Sequence, residues 1–207
     1  MTQVKRMARG GARQAILDAA GRLYAEQGFL ATSIEQIAAA AGVARPTVFT
    51  ATGGKAAILR EVVDIALSGD DEPVPVRERP WFVEMMDEPD PHRMLALHAR
   101  NITTMGRRVA AVYSAVEAAS TADPDVGALW ESLQAQRLAG SRMVAERLAG
   151  KTALREGYDA DAVTDVLWSV GSPMVYRKTV AERGWTPERY ERWMADLLRR
   201  LFLPDAV

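Results

Sequence analysis

Residues 32–55, TSIEQIAAAAGVARPTVFTATGGK, constrain this chain more tightly than any other stretch, because they read as two short helices joined at a glycine. A short second helix that begins with small or polar exposed residues is the usual shape of a major-groove reader, so the stretch points towards sequence-specific DNA binding. Thr32 followed three residues later by Glu35 predicts a capping box that opens the first of the two helices. Ile34, Ile37 and Ala38 form its inward face, Gly42 permits the turn, and Val43 can plug the angle between the helices. The second helix is expected over 45–51, with Pro46 in its first turn, where a missing amide hydrogen costs little. Val48 and Phe49 are its bulky apolar pair, while Arg45, Thr47 and Thr50 are polar candidates for the groove: arginine can donate twice to guanine, and threonine can meet a base edge through its methyl or hydroxyl.

The flanking helices follow from periodicity. Ile16, Leu17, Ala20, Leu23 and Tyr24 recur at helical spacing over 13–27, with Gly28 as the stop. Gly53 and Gly54 allow a tight turn into a helix over 55–68 that carries Ile58, Leu59, Val62, Val63 and Leu67 inward. Lys55 would sit in the first turn of that helix, where the helix dipole disfavours a cation and a DNA phosphate would offset the penalty. Thr52, if buried, needs a partner for its hydroxyl, and capping the helix over 55–68 is one way to find it.

Charge supports the same division of labour. The net charge of the 207 residues is only -1, yet residues 1–60 hold eight basic side chains (Lys5, Arg6, Arg9, Arg13, Arg22, Arg45, Lys55, Arg60) against three acidic ones, a balance of +5. The remainder carries -6. A small DNA-reading head on a neutral-to-acidic body would show this split, since phosphate attraction is needed only where the nucleic-acid backbone passes. The absence of cysteine excludes disulfides, thiolate metal sites and a cysteine nucleophile, and two histidines leave little for a metal site. No HExxH, no GxxxxGK[ST] and no strand before the Gly53–Gly54 turn support catalysis, so an enzyme is disfavoured and neither cofactor nor metal is expected. No apolar run approaches the roughly 18 residues that span a bilayer, and the basic amino terminus lacks the apolar region of a signal peptide, so a soluble cytoplasmic protein without a membrane partner is expected.

The run ILDAAGRLYAEQGFLATSIEQIAAAAGVARPTVFTATGGKAAIL, residues 16–59, resembles the amino-terminal domain of TetR-family transcriptional regulators. The order and spacing of the IL-AA-LY-E-G helix, the TS-I-IA-AGV segment, the TVF of the recognition helix and the glycine-lysine entry to the next helix carry the likeness, over about a quarter of the chain. The resemblance implies an all-α protein: a three-helix helix-turn-helix head with a connecting fourth helix, residues 1–68, and a larger helical ligand-binding and dimerisation domain, residues 69–207. It implies a homodimeric repressor that binds a near-palindromic double-stranded operator and is released by a small-molecule effector. Thr32, Arg45, Thr47, Phe49, Thr50 and Lys55 are the positions it assigns to DNA contact. Phe49 replaces the more usual tyrosine, and Ala51 and Thr52 replace an aromatic or histidine followed by phenylalanine, removing two phosphate contacts and one aromatic anchor. The competing reading is a helical dimer whose altered head no longer reads DNA.

In the body, residues 69–91 hold five prolines and should form a break containing about one helical turn at 81–86. Helices are expected over 91–109, 109–119, 126–148, 160–182 and 187–203, the last capped by Thr186, with Leu138 and Met143 among the inward residues of 126–148. An apolar effector site is expected from Trp81, Phe82, Met85, Met94, Met105, Trp130, Trp168 and Met174, with His98, Asn101 or Tyr113 orienting a lipophilic or aromatic ligand. The last two helices carry more apolar surface than a lone hairpin can bury. Val163, Val166, Val170, Trp193, Leu197 and Leu201 are therefore expected to form a four-helix dimer interface with the same helices of a second subunit.

Overall fold

The computed structural model describes residues 2–70, 72 and 74–204, with side chains from residue 11 onward, so the basic side chains of Lys5, Arg6 and Arg9 lie outside the described residues. The described residues form an all-α fold of helices α1 (Thr2–Ala31), α2 (Ile34–Ala41), α3 (Arg45–Thr52), α4 (Lys55–Ser68), α5 (Pro80–Asp87), α6 (Pro91–Ala119), α7 (Pro124–Ala149), α8 (Ala160–Val170), α9 (Pro173–Tyr176) and α10 (Pro187–Phe202). No helix among them is long and apolar enough to cross a membrane. Two compact units result, Met1–Ala66 with Ala111–Glu131, and Leu67–Ala110 with Ser132–Val207. The unit that holds the amino-terminal helices thus also takes in the end of α6 and the start of α7.

In the first unit Ile16, Leu17, Ala20 and Tyr24 are buried on one face of α1, with Ile37, Ala38, Val48, Ile58, Leu59 and Val63 supplied by the next three helices. Removing each large aliphatic chain from water contributes on the order of 1.5–3 kcal/mol, which is what holds such short helices in place. Gly28 interrupts α1 with φ 81° and ψ 169°, leaving one further turn to Ala31 before α2. The Tyr24 hydroxyl donates to the Lys55 carbonyl at 3.1 Å, and Arg13 pairs with Glu61 at 2.9 Å, so polar contacts as well as apolar ones join α1 to α4.

The second unit packs Met85, Met94 and Leu95 against Val144, Ala145 and Leu148 of α7, Val163 and Leu167 of α8, and Tyr190, Met194, Leu198 and Phe202 of α10. Its opening segment is knit rather than slack. Arg79, only 5% exposed, donates from Nε to the Val74 carbonyl at 3.0 Å, from Nη1 to Asp70 at 2.9 Å and from Nη2 to the Glu72 carbonyl at 3.0 Å. A buried guanidinium needs its donors satisfied, and an otherwise proline-interrupted chain supplies the acceptors.

Three expectations need correction. The expected helices over 91–109 and 109–119 are one continuous α6, in which Gly106 lets the Tyr176 ring lie against the helix: a Cβ there would meet Tyr176 carbons at 2.6–3.0 Å. The expected helix over 160–182 stops at Val170, because Pro173 has no amide hydrogen to continue the ladder and holds Ser172 in an extended conformation, φ -63° and ψ 136°. The chain then resumes as α9 and a π-helical turn, Arg177–Glu182. Leu138 and Met143 face outward, 45% and 38% exposed, since the buried stripe of α7 runs through Leu129, Leu133, Val144 and Leu148 and leaves both off its face.

Candidate nucleic-acid interface

The turn between α2 and α3 is built by backbone chemistry. Ser33, not Thr32, is the N-cap of α2: its hydroxyl accepts from the Gln36 amide at 3.1 Å, and the Gln36 side chain accepts from the Ser33 amide at 2.8 Å. The capping box is therefore Ser33–Gln36, one residue later than the spacing of Thr32 and Glu35 suggests, because Thr32 is spent elsewhere. Thr32 is 2% exposed; its hydroxyl donates to the Gly28 carbonyl at 2.7 Å and accepts from Gln27 at 3.2 Å. It fastens the kink in α1 and has little surface to offer a ligand. Gly42 closes α2 at φ 67°, a conformation open to glycine without a Cβ penalty, and the Val43 amide returns to the Ala38 carbonyl at 3.0 Å.

Helix α3 begins from Ala44 with no side-chain cap and with Pro46 in its first turn. Val48 is fully buried and anchors the helix, which packs against α1 and α2. Thr52 is also buried, and its hydroxyl donates to the Val48 carbonyl at 2.9 Å, so the expected demand for a partner is met within α3 rather than by capping α4. The opposite face presents Arg45, Phe49 and Thr50 to solvent, with Thr47 half-buried between them. Phe49 is 45% exposed. The Thr50 hydroxyl donates to the Thr47 carbonyl at 3.1 Å. Ala51 is half-buried.

Two of the candidate cations are already oriented. Arg45 pairs through Nε with Glu35 Oε1 at 2.5 Å, and its guanidinium carbon lies 5.4 Å from the centre of the Phe49 ring. Lys55 Nζ lies 4.1 Å from the centre of the Phe29 ring, which in turn packs on Tyr24 with centroids 5.7 Å apart. Partial burial pulls the Lys55 ammonium below the ordinary lysine range, with the Asp123 carboxylate acting in the opposite sense. A phosphate would favour the charged form of Lys55 further.

The expected effector residues are dispersed. Tyr113 and Trp130 form an edge-on pair, centroids 5.2 Å apart, within the unit that holds α1–α4, whereas the other nine belong to the second unit. Among those, the Asn101 amide donates to the Trp81 carbonyl at 3.2 Å and approaches Met85 sulfur at 3.7 Å, with Phe82 set edge-on to Trp81. Met85 and Met94 are closed inside the apolar core, while Met105 and Met174 are half-buried. Burial lowers the His98 imidazole to about 4. Trp168 stands at the surface, 36% exposed, with Arg137 over its ring. A different concavity, of about 300 Å³, is lined by His92, Arg155, Asp196, Arg199, Arg200, Leu203 and Pro204. None of these was expected; two basic residues in the last turn of α10 read from sequence as ordinary dipole complements. Of the expected interface residues, Val166, Val170, Trp193, Leu197 and Leu201 are half-buried around the core, but Val163 is fully buried within its own chain.

A helix-turn-helix whose second helix exposes an arginine, an aromatic ring and a threonine has the form of a major-groove reader. Residues 16–62 match the model of "Bacterial regulatory proteins, tetR family". The fold extends the likeness over the whole chain. The fatty acid degradation regulator FadR from Bacillus halodurans is 15% identical over 90% of this chain and 93% of its own, with a TM-score of 0.67. The TetR-family transcriptional regulator PfmR from Thermus thermophilus is 20% identical over 90% and 97%, with a TM-score of 0.66. A protein from Saccharomonospora viridis solved in complex with choline is 19% identical over 92% and 97%, with a TM-score of 0.68. At these identities the likeness carries the fold alone. No curated protein matches the sequence.

Proposed function

We propose that the chain is a ligand-responsive repressor in which residues 1–68 read a near-palindromic operator and residues 69–207 bind a lipophilic or aromatic effector and hold a homodimer. The observation that carries this reading is the exposed face of α3, where Arg45, Phe49 and Thr50 stand outward while Val48 and Thr52 anchor the helix from behind. Arg45 meets a base edge, Thr47, Phe49 and Thr50 make apolar or hydrogen-bonded contacts beside it, and Lys55 meets a phosphate. Thr32 acts indirectly, by fixing the entry to α2.

The dimer reading is supported by what α7, α8 and α10 leave uncovered. Leu138, Met143 and Trp168 are large, apolar and exposed, and Val166, Val170, Trp193, Leu197 and Leu201 are only half-covered, more than single scattered residues need explain. A two-fold pairing places two α3 helices for half-sites about 34–36 Å apart or a multiple of that. An apolar effector is favoured by the clustering of Trp81, Phe82 and Asn101 beside the methionine-containing core, and among neighbours of this fold one is named for fatty acid degradation. The ligand releases DNA only if it binds one arrangement of the dimer more tightly than the other. Helices α6 and α7 each contribute residues to both compact units.

Selection of bound duplexes from a random library with the purified full-length protein tests the reading, followed by titration over several salt concentrations. The expected product is a near-palindrome bound by two chains, with Arg45→Ala costing roughly 10- to 100-fold in affinity and Lys55→Ala lowering the salt slope by about one. Recovery of no preferred sequence would favour the competing helical dimer that binds ligand but not DNA.

A further inference from the structure

The Glu35 carboxylate is an anomaly on a face that meets a polyanion, and its geometry gives it a task. It stands in the first turn of α2, Arg45 opens α3, and the turn at Gly42 brings the two side chains together. Both remain on the surface, 62% and 60% exposed, so neither is there to bury area. A pair this exposed adds little to stability. Hydrogen bonding to its own backbone amide, then to Ser33 and Arg45, holds the Glu35 carboxyl below the usual carboxylate range, so it stays charged at neutral pH.

We propose that Glu35 is a positioning residue for Arg45 and thereby a determinant of which base pair α3 accepts. The proposal rests on the reading that α3 enters the major groove through Arg45. A free arginine has several rotatable bonds and can satisfy itself on whichever phosphate is nearest. Here the carboxylate holds Nε at 2.5 Å while the Phe49 ring lies 5.4 Å from the guanidinium carbon. Engaging the Nε side leaves the edge formed by Nη1 and Nη2 directed away from the carboxylate, and that edge matches the N7 and O6 acceptors of guanine. The carboxylate also repels phosphate, making the non-specific mode worse for this arginine. Specificity is a difference between affinities, and a group that weakens the wrong mode raises it.

The test uses the full-length protein and the duplex that it selects, plus duplexes altered at the single base pair whose preference depends on Arg45. Glu35→Gln should reduce discrimination at that base pair about tenfold and bind unrelated duplex several-fold more tightly, with a salt slope steeper by up to about one. Arg45→Lys, which keeps the charge but loses the fork, should flatten the same position, and Glu35→Gln added to Arg45→Lys should flatten it no further. Glu35→Asp, one methylene shorter, should fall between wild type and Glu35→Gln. A merely structural Glu35 would instead lower affinity for all duplexes equally and leave the base preference intact; that result overturns the proposal. Additive losses in the double variant would overturn it as well. If Arg45→Ala leaves both the selected sequence and its affinity unchanged, the groove reading itself fails and this inference with it, whereas loss of preference in Arg45→Ala without loss in Glu35→Gln removes only the role of Glu35.

Discussion

The turn between α2 and α3 and the segment from Gly171 to Gly184 both break a helical run, but different forces set their shape. In the first, Ser33 and Gln36 satisfy each other's backbone amides, Gly42 takes a left-handed conformation, and the Val43 amide returns to Ala38. Every one of these bonds lies within a few residues. In the second, a four-residue helix and a π-helical turn follow one another, and the Thr179 hydroxyl bonds back to the Val175 and Tyr176 carbonyls. What fixes the register there is distant: Tyr176 lies against Gly106 on α6 and edge-on to Tyr190 on α10, with centroids 5.1 Å apart. The turn between α2 and α3 is set by local backbone bonding, and the segment from Gly171 to Gly184 by interlocking side chains.

That contrast breaks first at Gly106. Gly106→Val places its Cβ where Tyr176 ring carbons stand at 2.6–3.0 Å, so α6 or α9 must shift. Overpacking of this kind costs about 1–3 kcal/mol, expected here at the upper end, with a fall in Tm of several degrees and little change in the isolated affinity of α3 for its base pairs. Calorimetry checks it: a Tm unchanged within about 1 °C would mean that the body is not set by side-chain interlock.

His98 gives the body a pH dependence in the mildly acidic range. Its pKa in the fold is about 4, below the usual 6.5, because burial disfavours the cation. The unfolded chain then binds the extra proton first, so the stabilisation is full above about pH 6.5, is lost as pH falls, and levels off below about 4. Discounting for partial exposure, the loss from this group is on the order of 1–2 kcal/mol between about pH 7 and 5. Urea titrations at both pH values should show a larger drop for the native chain than for His98→Gln; equal drops would remove the histidine from the account.

Legibility in the sequence followed the same divide. Gly28, Gly42, Pro46 and the repeat of Ile and Leu in α1 and α4 act within one or two turns, so the head could be read residue by residue. Even there, Thr32 and Glu35 suggested a capping box that belongs to Ser33 and Gln36, since whether a threonine caps a helix or fastens the preceding turn depends on where Gly28 points its carbonyl. The pairing of Glu35 with Arg45 had no local signature at all, because the turn between them decides it. In the body, the Gly171-Ser172-Pro173 break was written in the chain, but the π-helical turn was not, and neither was the outward phase of Leu138, Met143 and Trp168. Such features depend on which neighbours pack against each face.

Ser33→Ala sharpens the local side of the contrast. Losing the hydroxyl removes one half of a reciprocal cap, a cost of about 1 kcal/mol, and it should loosen α2 without altering the base preference of α3. Hydrogen exchange would register it as faster exchange at the Gln36 amide and through the first turn of α2. If the body amides respond as strongly as those of α2, the two regions do not differ in the way proposed.

The smallest effect is expected at Thr52, where local bonding and burial meet. Its hydroxyl donates to the Val48 carbonyl at 2.9 Å, an acceptor that α3 also uses within its own ladder. Thr52→Val preserves the branched shape, removes the buried hydroxyl and leaves Val48 with whatever backbone bond the last turn supplies. The net change should lie within about 0.5 kcal/mol of zero, since a lost hydrogen bond is offset by one less buried polar group. Thr52→Ser, which keeps the hydroxyl but deletes a buried methyl, should cost more, about 1 kcal/mol. The order of these two variants in chemical denaturation is the decisive readout: serine more stable than valine would mean that the hydroxyl, not the packed methyl, holds the exit of the recognition helix.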